Sequence, residues 1–559
     1  MSFLQLPIER SEFASAWADS LAGLLVRLHE GQGGNRQQSL RLAGLTRDLC
    51  AALDNGHSCL QSEFLDRLQD YRSPIMVPAA QALQHIAPLV LESKRLYLYR
   101  YWWDEYRLAQ AIKQLNRHIP VALSEADIQK ICLGTHDKQQ QAIRCALQRG
   151  FSVITGGPGT GKTFTLVRIL LALLQQEPHL RVALAAPTGK AAARMQEALR
   201  QSLAQLPISQ QLSDALPKTA FTLHRLLGMG HNTQPKFNAQ QPLAYDLIII
   251  DEASMIDLRM ASQLLSAIHP QARVILLGDA NQLAAVEAGA VLAEIGKAQS
   301  LKESCVHLTH SQRFGGQIGQ LAEAVCAGNS QQALDIAKQN NQDEVFYHTL
   351  EQPEATAKKL FSGYQAFVIA LQEQQDIALV LLAFDEYRVL GAVREGAYGV
   401  NAMNQRLSAL LQKELKQSEE GAIWYHGRPV MVTQNDYSLD IFNGDIGITL
   451  AEEDGFYVYF PARDAQHKRI SAARLAHSET ALALTIHKSQ GSEFKQVAVL
   501  LPKEDSAILS RQLLYTGITR AKKQIHLWAI EHLFIKAIEQ ETQRAAGLQL
   551  KIDQKTTFE

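Results

Sequence analysis

A glycine-rich run at residues 156–163, GGPGTGKT, constrains the fold of this chain more than any other feature. Its glycines let the backbone curl so that successive N–H groups point inward, as a phosphate-binding loop requires. An apolar run at 151–154 precedes the loop, and a segment at 164–174 with helical character follows it. A glycine-rich turn without function is the alternative, but strand, loop and helix in this order favour a nucleotide-binding α/β domain.

Two side chains give this loop its chemistry. Lys162 can reach the outer phosphates of ATP, and the hydroxyl of Thr163 can bind Mg2+. The residues predicted to hold the nucleotide are Gly156, Gly157, Pro158, Gly159, Thr160, Gly161, Lys162 and Thr163.

Short apolar runs at 182–186, 247–250 and 274–277 predict strands that are buried on both faces, as in a parallel sheet. Polar residues follow each run, so functional groups should collect at the carboxyl edge of one sheet. Asp251 and Glu252 follow the second run and resemble a Walker B pair. Asp251 would hold Mg2+ through water, and Glu252 would orient or deprotonate the attacking water. A helix cap is the alternative for this pair.

A second set of apolar runs lies at 377–382, 482–486, 497–501 and 525–529, and it predicts another α/β domain. No phosphate loop occurs there. Two such lobes with one phosphate loop suggest a nucleotide between them, with cations of the second lobe at the γ-phosphate. Arg313 and Arg520 are the candidates, although a single arginine can equally be a solvated surface charge.

Composition limits the class of protein. The 559 residues, 46% hydrophobic and 20% charged, predict several globular domains, and no run is typical of a signal peptide or a membrane span. A cytoplasmic protein is therefore expected. The net charge of −1 argues against coating nucleic acid through bulk charge, so DNA contacts must be local. Six scattered cysteines predict buried free thiols rather than a zinc site.

A set of ordered motifs identifies a family. These motifs lie at 156–163, 186–192, 222–228, 251–254, 277–283, 312–314, 485–494 and 515–522. Together they resemble superfamily 1 DNA helicases, and most closely the RecD family, which supplies the alpha subunit of exodeoxyribonuclease V. The resemblance covers residues 137 to about 528. It implies an α/β fold with two RecA-like P-loop domains, a helical N-terminal domain and a small inserted SH3-like β-barrel.

The resemblance also implies domain boundaries. Residues 1–130 would dock partner subunits, residues 131–345 would form the ATPase domain, and residues 346–559 would form the second RecA-like domain. A short hairpin insertion is expected at 229–244 and the SH3-like insertion at about 423–475. An ordinary surface loop is the alternative for both insertions. Aromatic residues at 97–103 suit a docking interface, although core packing is an equally good use for them.

Site residues follow from the motif matches. Gln139 would read adenine, Gln282 would sense the γ-phosphate, and Arg313 and Arg520 would complete a catalytic set with Lys162 and Glu252. The residues implied as DNA contacts are Pro187, Thr188, His224, Thr485, His487, Ser489 and Gln490. Their hydroxyls, amides and imidazoles can grip a sugar-phosphate backbone without reading sequence. A packing role is the alternative for the two histidines.

The resemblance implies an ATP-dependent 5′–3′ helicase subunit that works on single-stranded DNA and on duplex ends. RecB-like and RecC-like partners would complete a heterotrimer for double-strand break repair by homologous recombination. Two alternatives are a stand-alone RecD-like helicase and a structural subunit with an idle nucleotide site. Residues 92–94 have the E-x-K spacing of a nuclease, but no suitable aspartate precedes them, so no nuclease site is expected in this chain.

Overall fold

The computed structural model describes residues 16–62, 65, 73–204, 212, 215–230, 234–310, 316–339, 343–417, 423–436, 438–461 and 467–554. Within these ranges the strands form four separate sheets. None of the described helices is long and apolar enough to cross a membrane. All six cysteines are free thiols, and the four at 50, 59, 132 and 145 are buried as predicted, whereas Cys305 and Cys326 are only half-buried.

The N-terminal region is helical, as predicted, and also contains a small sheet. Its elements are α1 (Ala16–Gly31), α2 (Arg36–Asp54), β1 (Leu60–Gln61), β2 (Met76–Pro78), β3 (Leu89–Glu92), β4 (Arg95–Leu98) and α3 (Tyr99–Leu115). The four strands pair in the order β1-β4-β3-β2. The turn between β3 and β4 contains Ser93 with φ of 52°. Residues 92–94, whose spacing resembled a nuclease motif, therefore build a tight hairpin turn.

A six-stranded parallel sheet forms the first lobe, in the order β10-β5-β9-β8-β6-β7. All four strands predicted for this lobe are confirmed. Its elements are α4 (Glu125–Ile131), α5 (Asp137–Gln148), β5 (Phe151–Gly156), α6 (Lys162–Gln176), β6 (Val182–Ala186), α7 (Gly189–Ala204), β7 (Ala220–Thr222), α8 (Leu223–Leu226), β8 (Leu247–Ile250), α9 (Leu258–Ser266), β9 (Arg273–Gly278), α10 (Val291–Lys297) and β10 (Cys305–Leu308).

Helix α3 precedes the expected boundary at residue 130 but belongs to the core of the first lobe. Its Leu108 and Ile112 are fully buried and share a hydrophobic cluster with Phe151 and Val274 of the parallel sheet. A cut at residue 130 would therefore remove part of this core, and we place the separable N-terminal unit before α3.

The segment expected as a hairpin at 229–244 lies partly outside the described residues, which omit 231–233. On either side of this gap the described backbone forms turns. The N–H groups of Lys236 and Phe237 both donate to the carbonyl of Leu227, at 3.0 and 3.2 Å. The hairpin stays a prediction.

The remaining elements build the second lobe and its insertion, except the last helix, which packs on the first lobe. The helices at 317–326 and 330–338 pack in the core of the second lobe, so this lobe begins before the expected boundary at residue 345. The helices are α11 (Gln317–Cys326), α12 (Ser330–Lys338), α13 (Pro353–Phe361), α14 (Gln365–Gln372), α15 (Ile377–Asp385), α16 (Val400–Glu414), α17 (Arg511–Ile518), α18 (Glu531–Glu539) and α19 (Leu548–Asp553). The strands are β11 (Val345–Thr349), β12 (Tyr387–Gly391), β13 (Pro429–Val432), β14 (Ile446–Glu452), β15 (Gly455–Phe460), β16 (Lys468–Ser471), β17 (Ser478–Thr480), β18 (Ala483–Thr485), β19 (Phe494–Leu500) and β20 (Ala521–Ala529).

The second lobe contains a five-stranded parallel sheet in the order β11-β20-β19-β12-β18. Strands predicted at 482–486, 497–501 and 525–529 are present, but the strand predicted at 377–382 is wrong, because these residues form α15. Asp376 caps this helix by accepting a hydrogen bond from the N–H of Ala378 at 2.8 Å. A short continuous apolar run does not distinguish a buried strand from a helix. Here Leu379 and Leu382 are 50% and 65% exposed on the helix surface.

The insertion in the second lobe is an antiparallel sheet of five strands in the order β16-β15-β14-β13-β17, as expected for a small SH3-like barrel. A turn at 443–445 precedes β14. There Gly444 has φ of 93°, and the carboxylate of Asp445 accepts a hydrogen bond from the N–H of Phe442 at 2.8 Å.

The chain returns to the first lobe after α18. Arg544 donates to the carbonyls of Glu287 and Gly289, each at 3.0 Å. Leu548 and Ile552 of α19 are buried in the first-lobe core. The C-terminal segment therefore joins the second lobe to the first.

Candidate nucleotide and DNA site

The phosphate loop lies between β5 and α6. Gly159 and Gly161 have φ of 76° and 80°, a backbone region that favours glycine. A Cβ on Gly157 would lie 2.9 Å from the hydroxyl of Tyr515 in the second lobe, so that lobe approaches the loop closely. The ammonium of Lys162 donates to the carbonyls of Gly156 and Gly157 at 2.6 and 3.0 Å. The loop therefore has the curled backbone that phosphate binding requires, and Lys162 is hydrogen-bonded within it.

Gln139 is buried at the start of α5, beside the phosphate loop. Its amide oxygen accepts from the N–H of His136 at 3.1 Å, and its amide nitrogen donates to the carbonyl of Thr160 at 3.2 Å. The structure therefore shows Gln139 bracing the loop. The role in reading adenine stays a prediction.

Asp251 and Glu252 follow β8, which pairs with β9 in the sheet. The N–H of Glu252 donates to the Asp251 carboxylate at 2.8 Å. Burial and the Glu252 carboxylate raise the pKa of Asp251, and the Lys162 ammonium opposes this rise. Glu252 has φ of 53°, an unusual conformation for a non-glycine residue, which turns the chain sharply after the strand.

Thr163, at the start of α6, supplies a hydroxyl, and Asp251, directly after β8, supplies a carboxylate. Hard oxygen donors of this kind fit Mg2+. No cluster of three or more histidine, cysteine, aspartate or glutamate side chains occurs in the part of the chain that the structure describes. A magnesium site in a phosphate loop needs no such cluster, since phosphate and water supply the other ligands.

Asp279 and Gln282 follow β9 and are both buried. The amide of Gln282 donates to Oδ2 of Asp279 at 3.0 Å, and the N–H of Asn281 donates to Oδ1 at 3.0 Å. The hydroxyl of Tyr515 donates to the same Oδ2 at 3.0 Å. Gln282 is a predicted site residue, whereas no role was predicted for Asp279 or Tyr515.

Arg520 is 2% exposed at the end of α17. Its guanidinium donates to the carbonyls of Thr516 and Ser492 at 3.1 and 3.2 Å. Burial lowers the pKa of Arg520, whereas the carboxylates of Glu252 and Glu493 raise it. Glu252 belongs to the first lobe and Arg520 to the second, so this electrostatic interaction acts between the lobes. Arg313, the other predicted arginine, lies outside the described residues.

Two of the expected DNA contacts of the first lobe follow β6. Thr188 accepts a hydrogen bond from the N–H of Ala191 at 3.2 Å and so caps α7, next to Pro187. His224 lies in α8 and its side chain is exposed. These residues lie at or near the carboxyl ends of neighbouring strands β6 and β7.

The expected DNA contacts of the second lobe differ in their surroundings. Thr485 and His487 are half-buried, and burial lowers the pKa of His487. Ser489 is fully buried and donates to the carbonyl of Ile486 at 2.7 Å. Gln490 donates across the cleft to the carbonyl of Leu283 at 2.8 Å. In this structure the last two side chains serve packing and contact between lobes.

A further contact between the lobes joins Arg194 of α7 to Glu493, whose side chain is only 8% exposed. Both residues lie within or close to motifs quoted from the sequence. Their pairing was missed because the sequence does not show which motifs face each other.

Three family models match the chain. An AAA domain covers residues 139–288, the ATP-dependent RecD-like DNA helicase SH3 domain covers 403–460, and a UvrD-like helicase C-terminal domain covers 480–528. The Pif1 helicase from Candida albicans has a solved structure that covers 72% of this chain and 98% of its own, at 17% identity and a TM-score of 0.40.

Curated relatives extend over most of the chain. The RecBCD enzyme subunit RecD of Mycobacterium tuberculosis is 39% identical over 473 residues, covering 82% of this chain and 80% of the relative. That of Haemophilus influenzae is 35% identical over 528 residues, covering 83% and 81%. The ATP-dependent RecD2 DNA helicase of Deinococcus radiodurans is 31% identical over 468 residues, covering 82% and 57%. The chain therefore belongs to the RecD family and is an ATP-dependent DNA helicase.

Proposed function

We propose that this chain is the 5′–3′ motor subunit of a RecBCD-type heterotrimer, which unwinds DNA ends for double-strand break repair by homologous recombination. The observation that carries the motor role is the meeting of the two lobes at the phosphate loop, where Tyr515 approaches Gly157. The subunit role is supported by relatives named as RecBCD subunits, which share 35–39% identity with this chain.

ATP would lie in the loop at 156–163, with its phosphates on the inward N–H groups and on the N-terminal end of α6. Lys162 now donates to two loop carbonyls, and it would exchange these for the β- and γ-phosphate oxygens. Gln139 would hold the loop in shape through its hydrogen bond to the carbonyl of Thr160.

Mg2+ would be held by Thr163 and, through water, by Asp251, and it would neutralise charge on the β- and γ-phosphates. Glu252 would orient the attacking water and accept its proton. The unusual backbone conformation of Glu252 turns the chain away from β8. The N–H of Glu252 holds the Asp251 carboxylate in place, so the two carboxylates can serve separate roles.

Closure of the cleft would bring cations to the γ-phosphate. Arg520 is buried in the second lobe, and the carboxylate of Glu252 in the first lobe raises its pKa. A small movement of the second lobe would therefore change the distance between Arg520 and the reacting phosphoryl group. Arg313 would act beside it. Repeated closing and opening of the two lobes would then move single-stranded DNA that Pro187, Thr188 and His224 grip in one lobe, and Thr485 and His487 in the other.

The second candidate is a stand-alone helicase, which the 31% identity to the Deinococcus radiodurans enzyme favours. Co-expression with RecB-like and RecC-like chains separates the two possibilities. ATP hydrolysis and strand displacement would be measured for the chain alone and for the purified assembly, on duplexes with either a 5′ or a 3′ single-stranded tail. Our proposal requires a stable assembly and unwinding from the 5′ tail by this subunit.

We also propose that the N-terminal region binds the partner subunits. Trp17, Leu24 and Leu28 of α1 are 40%, 45% and 39% exposed, and their spacing puts them on one helix face. Replacing all three with serine should prevent co-purification with the partners and leave ATP hydrolysis intact. Unchanged co-purification would exclude this surface.

A further inference from the structure

The buried carboxylate of Asp279 accepts hydrogen bonds from both lobes. The residue is 1% exposed, and its two oxygens accept three hydrogen bonds. Two of these bonds, from Gln282 and Tyr515, reach the same oxygen at 3.0 Å each. Gln282 belongs to the first lobe and Tyr515 to the second. One oxygen atom therefore connects the amide of Gln282 with the opposite lobe.

Tyr515 is also well placed beside the phosphate loop. It is 6% exposed on α17, and its hydroxyl leaves no room for a Cβ on Gly157. The next residue, Thr516, accepts a hydrogen bond from the N–H of Leu283 at 2.9 Å. Together with Gln490, which donates to the carbonyl of Leu283, these side chains attach the 279–283 segment to the second lobe.

This arrangement makes the orientation of Gln282 depend on the position of the second lobe. If the cleft opens, Tyr515 moves away and Asp279 loses one donor on the oxygen that binds Gln282. A buried carboxylate that loses a partner must find another or be hydrated. The Gln282 amide is then no longer held in a unique position.

We propose that Asp279 and Tyr515 form a positioning pair, which holds the Gln282 amide in one fixed orientation only while the lobes are closed. Tyr515 thus makes the hydrogen bonding of Asp279 depend on lobe closure, and Asp279 in turn fixes the orientation of the Gln282 amide. This inference rests on the proposed motor function and on the role in sensing the γ-phosphate that the family resemblance implies for Gln282.

Tyr515→Phe tests the pair because it removes one hydroxyl and keeps the ring. ATP hydrolysis would be measured with the full-length chain at saturating single-stranded DNA, in its partner assembly if one forms. A hydrogen bond to a buried charge corresponds to a change of about 10- to 100-fold, so we expect kcat to fall by that factor. The KM for ATP should change less than about threefold, since the loop amides and Lys162 remain.

A matched control is Tyr347→Phe. The hydroxyl of Tyr347 donates to the carbonyl of Ala529 at 3.1 Å, in the same lobe but away from the cleft. This variant should keep the wild-type kcat. Asp279→Asn is a second test at the other end of the pair, and it should lower kcat at least as much as Tyr515→Phe does.

The double variant Gln282→Ala with Tyr515→Phe decides whether Tyr515 acts through Gln282. The proposal requires that the double variant is no slower than Gln282→Ala alone. Additive losses, or a wild-type kcat for Tyr515→Phe, would overturn the positioning pair. A wild-type kcat for Gln282→Ala would instead reject the proposed role of Gln282 itself, so the two failures are distinguishable.

Discussion

The ammonium of Lys551 lies 2.8 Å from the carboxylate of Glu105, which is 446 residues away in sequence. Lys551 also pairs with Glu92, and all three side chains are largely buried. This ionic cluster joins α19 to the β3–β4 hairpin and to α3. It gives Glu92 a structural partner in place of the nuclease role that its sequence spacing suggested.

Lys551→Met should destabilise the protein strongly, because it leaves two buried carboxylates without their cation. Breaking a buried pair on one side costs about 3–5 kcal/mol. The measurement is the free energy of unfolding by denaturant. The control is Lys536→Met, which removes an exposed pair with Asp505 and should cost less than about 1 kcal/mol. Equal losses in the two variants would show that the cluster contributes little.

Lys162→Ala should abolish ATP-driven unwinding and leave the fold intact. The side chain is only half-buried, so its packing contribution is small, but it supplies the main positive charge to the outer phosphates. DNA-stimulated ATP hydrolysis and the thermal unfolding midpoint would be measured together. Hydrolysis that survives this change would reject the assignment of the phosphate loop.

Arg520→Lys should lose most of its ATP hydrolysis, by about 10³- to 10⁵-fold, because a point charge does not reproduce the forked guanidinium geometry. Nucleotide affinity should fall much less, since the loop and Lys162 remain. Turnover with DNA and binding of a fluorescent nucleotide would be compared.

The control for Arg520→Lys is Lys523→Ala, an exposed cation on β20. Because Arg520 is buried and bonded to two carbonyls, the unfolding midpoint of each variant must also be recorded. Near wild-type turnover of Arg520→Lys would mean that another cation serves the γ-phosphate.

His526 should make the second lobe less stable in mild acid. Burial and the neighbouring His348 lower the pKa of His526 from 6.5 to about 4. Between these values the unfolded chain binds a proton that the folded chain does not, so stability from this group is lost as the pH falls from about 6.5 to 4. The unfolding free energy would be measured at pH 7.5 and pH 5.

His526→Phe should reduce that pH dependence, because phenylalanine can keep the stacking on Phe346 but does not titrate. His532→Phe, which changes an exposed histidine on α18, is the control and should behave as the wild type. An unchanged difference between the two pH values in His526→Phe would contradict the prediction.

Local sequence determined the phosphate loop and the strands around it. Gly159 and Gly161 adopt left-handed conformations that few other residues tolerate, and the apolar strands at 182–186 and 247–250 end at their functional residues. These features are short-range, since backbone sterics and continuous burial act within a few residues. The same short-range argument failed at 377–382, where an apolar run fits either a helix or a strand.

Tertiary structure alone decided which motifs face each other. Asp279 and Tyr515 are 236 residues apart and belong to separate lobes, so their hydrogen bond depends on how the two sheets come together. The same holds for Gln490: the family resemblance implied a DNA contact for this residue, but in the structure its amide donates to the carbonyl of Leu283. A motif specifies the side chains it contributes, but the partner of a buried polar group depends on which atoms the folded chain brings within hydrogen-bonding distance.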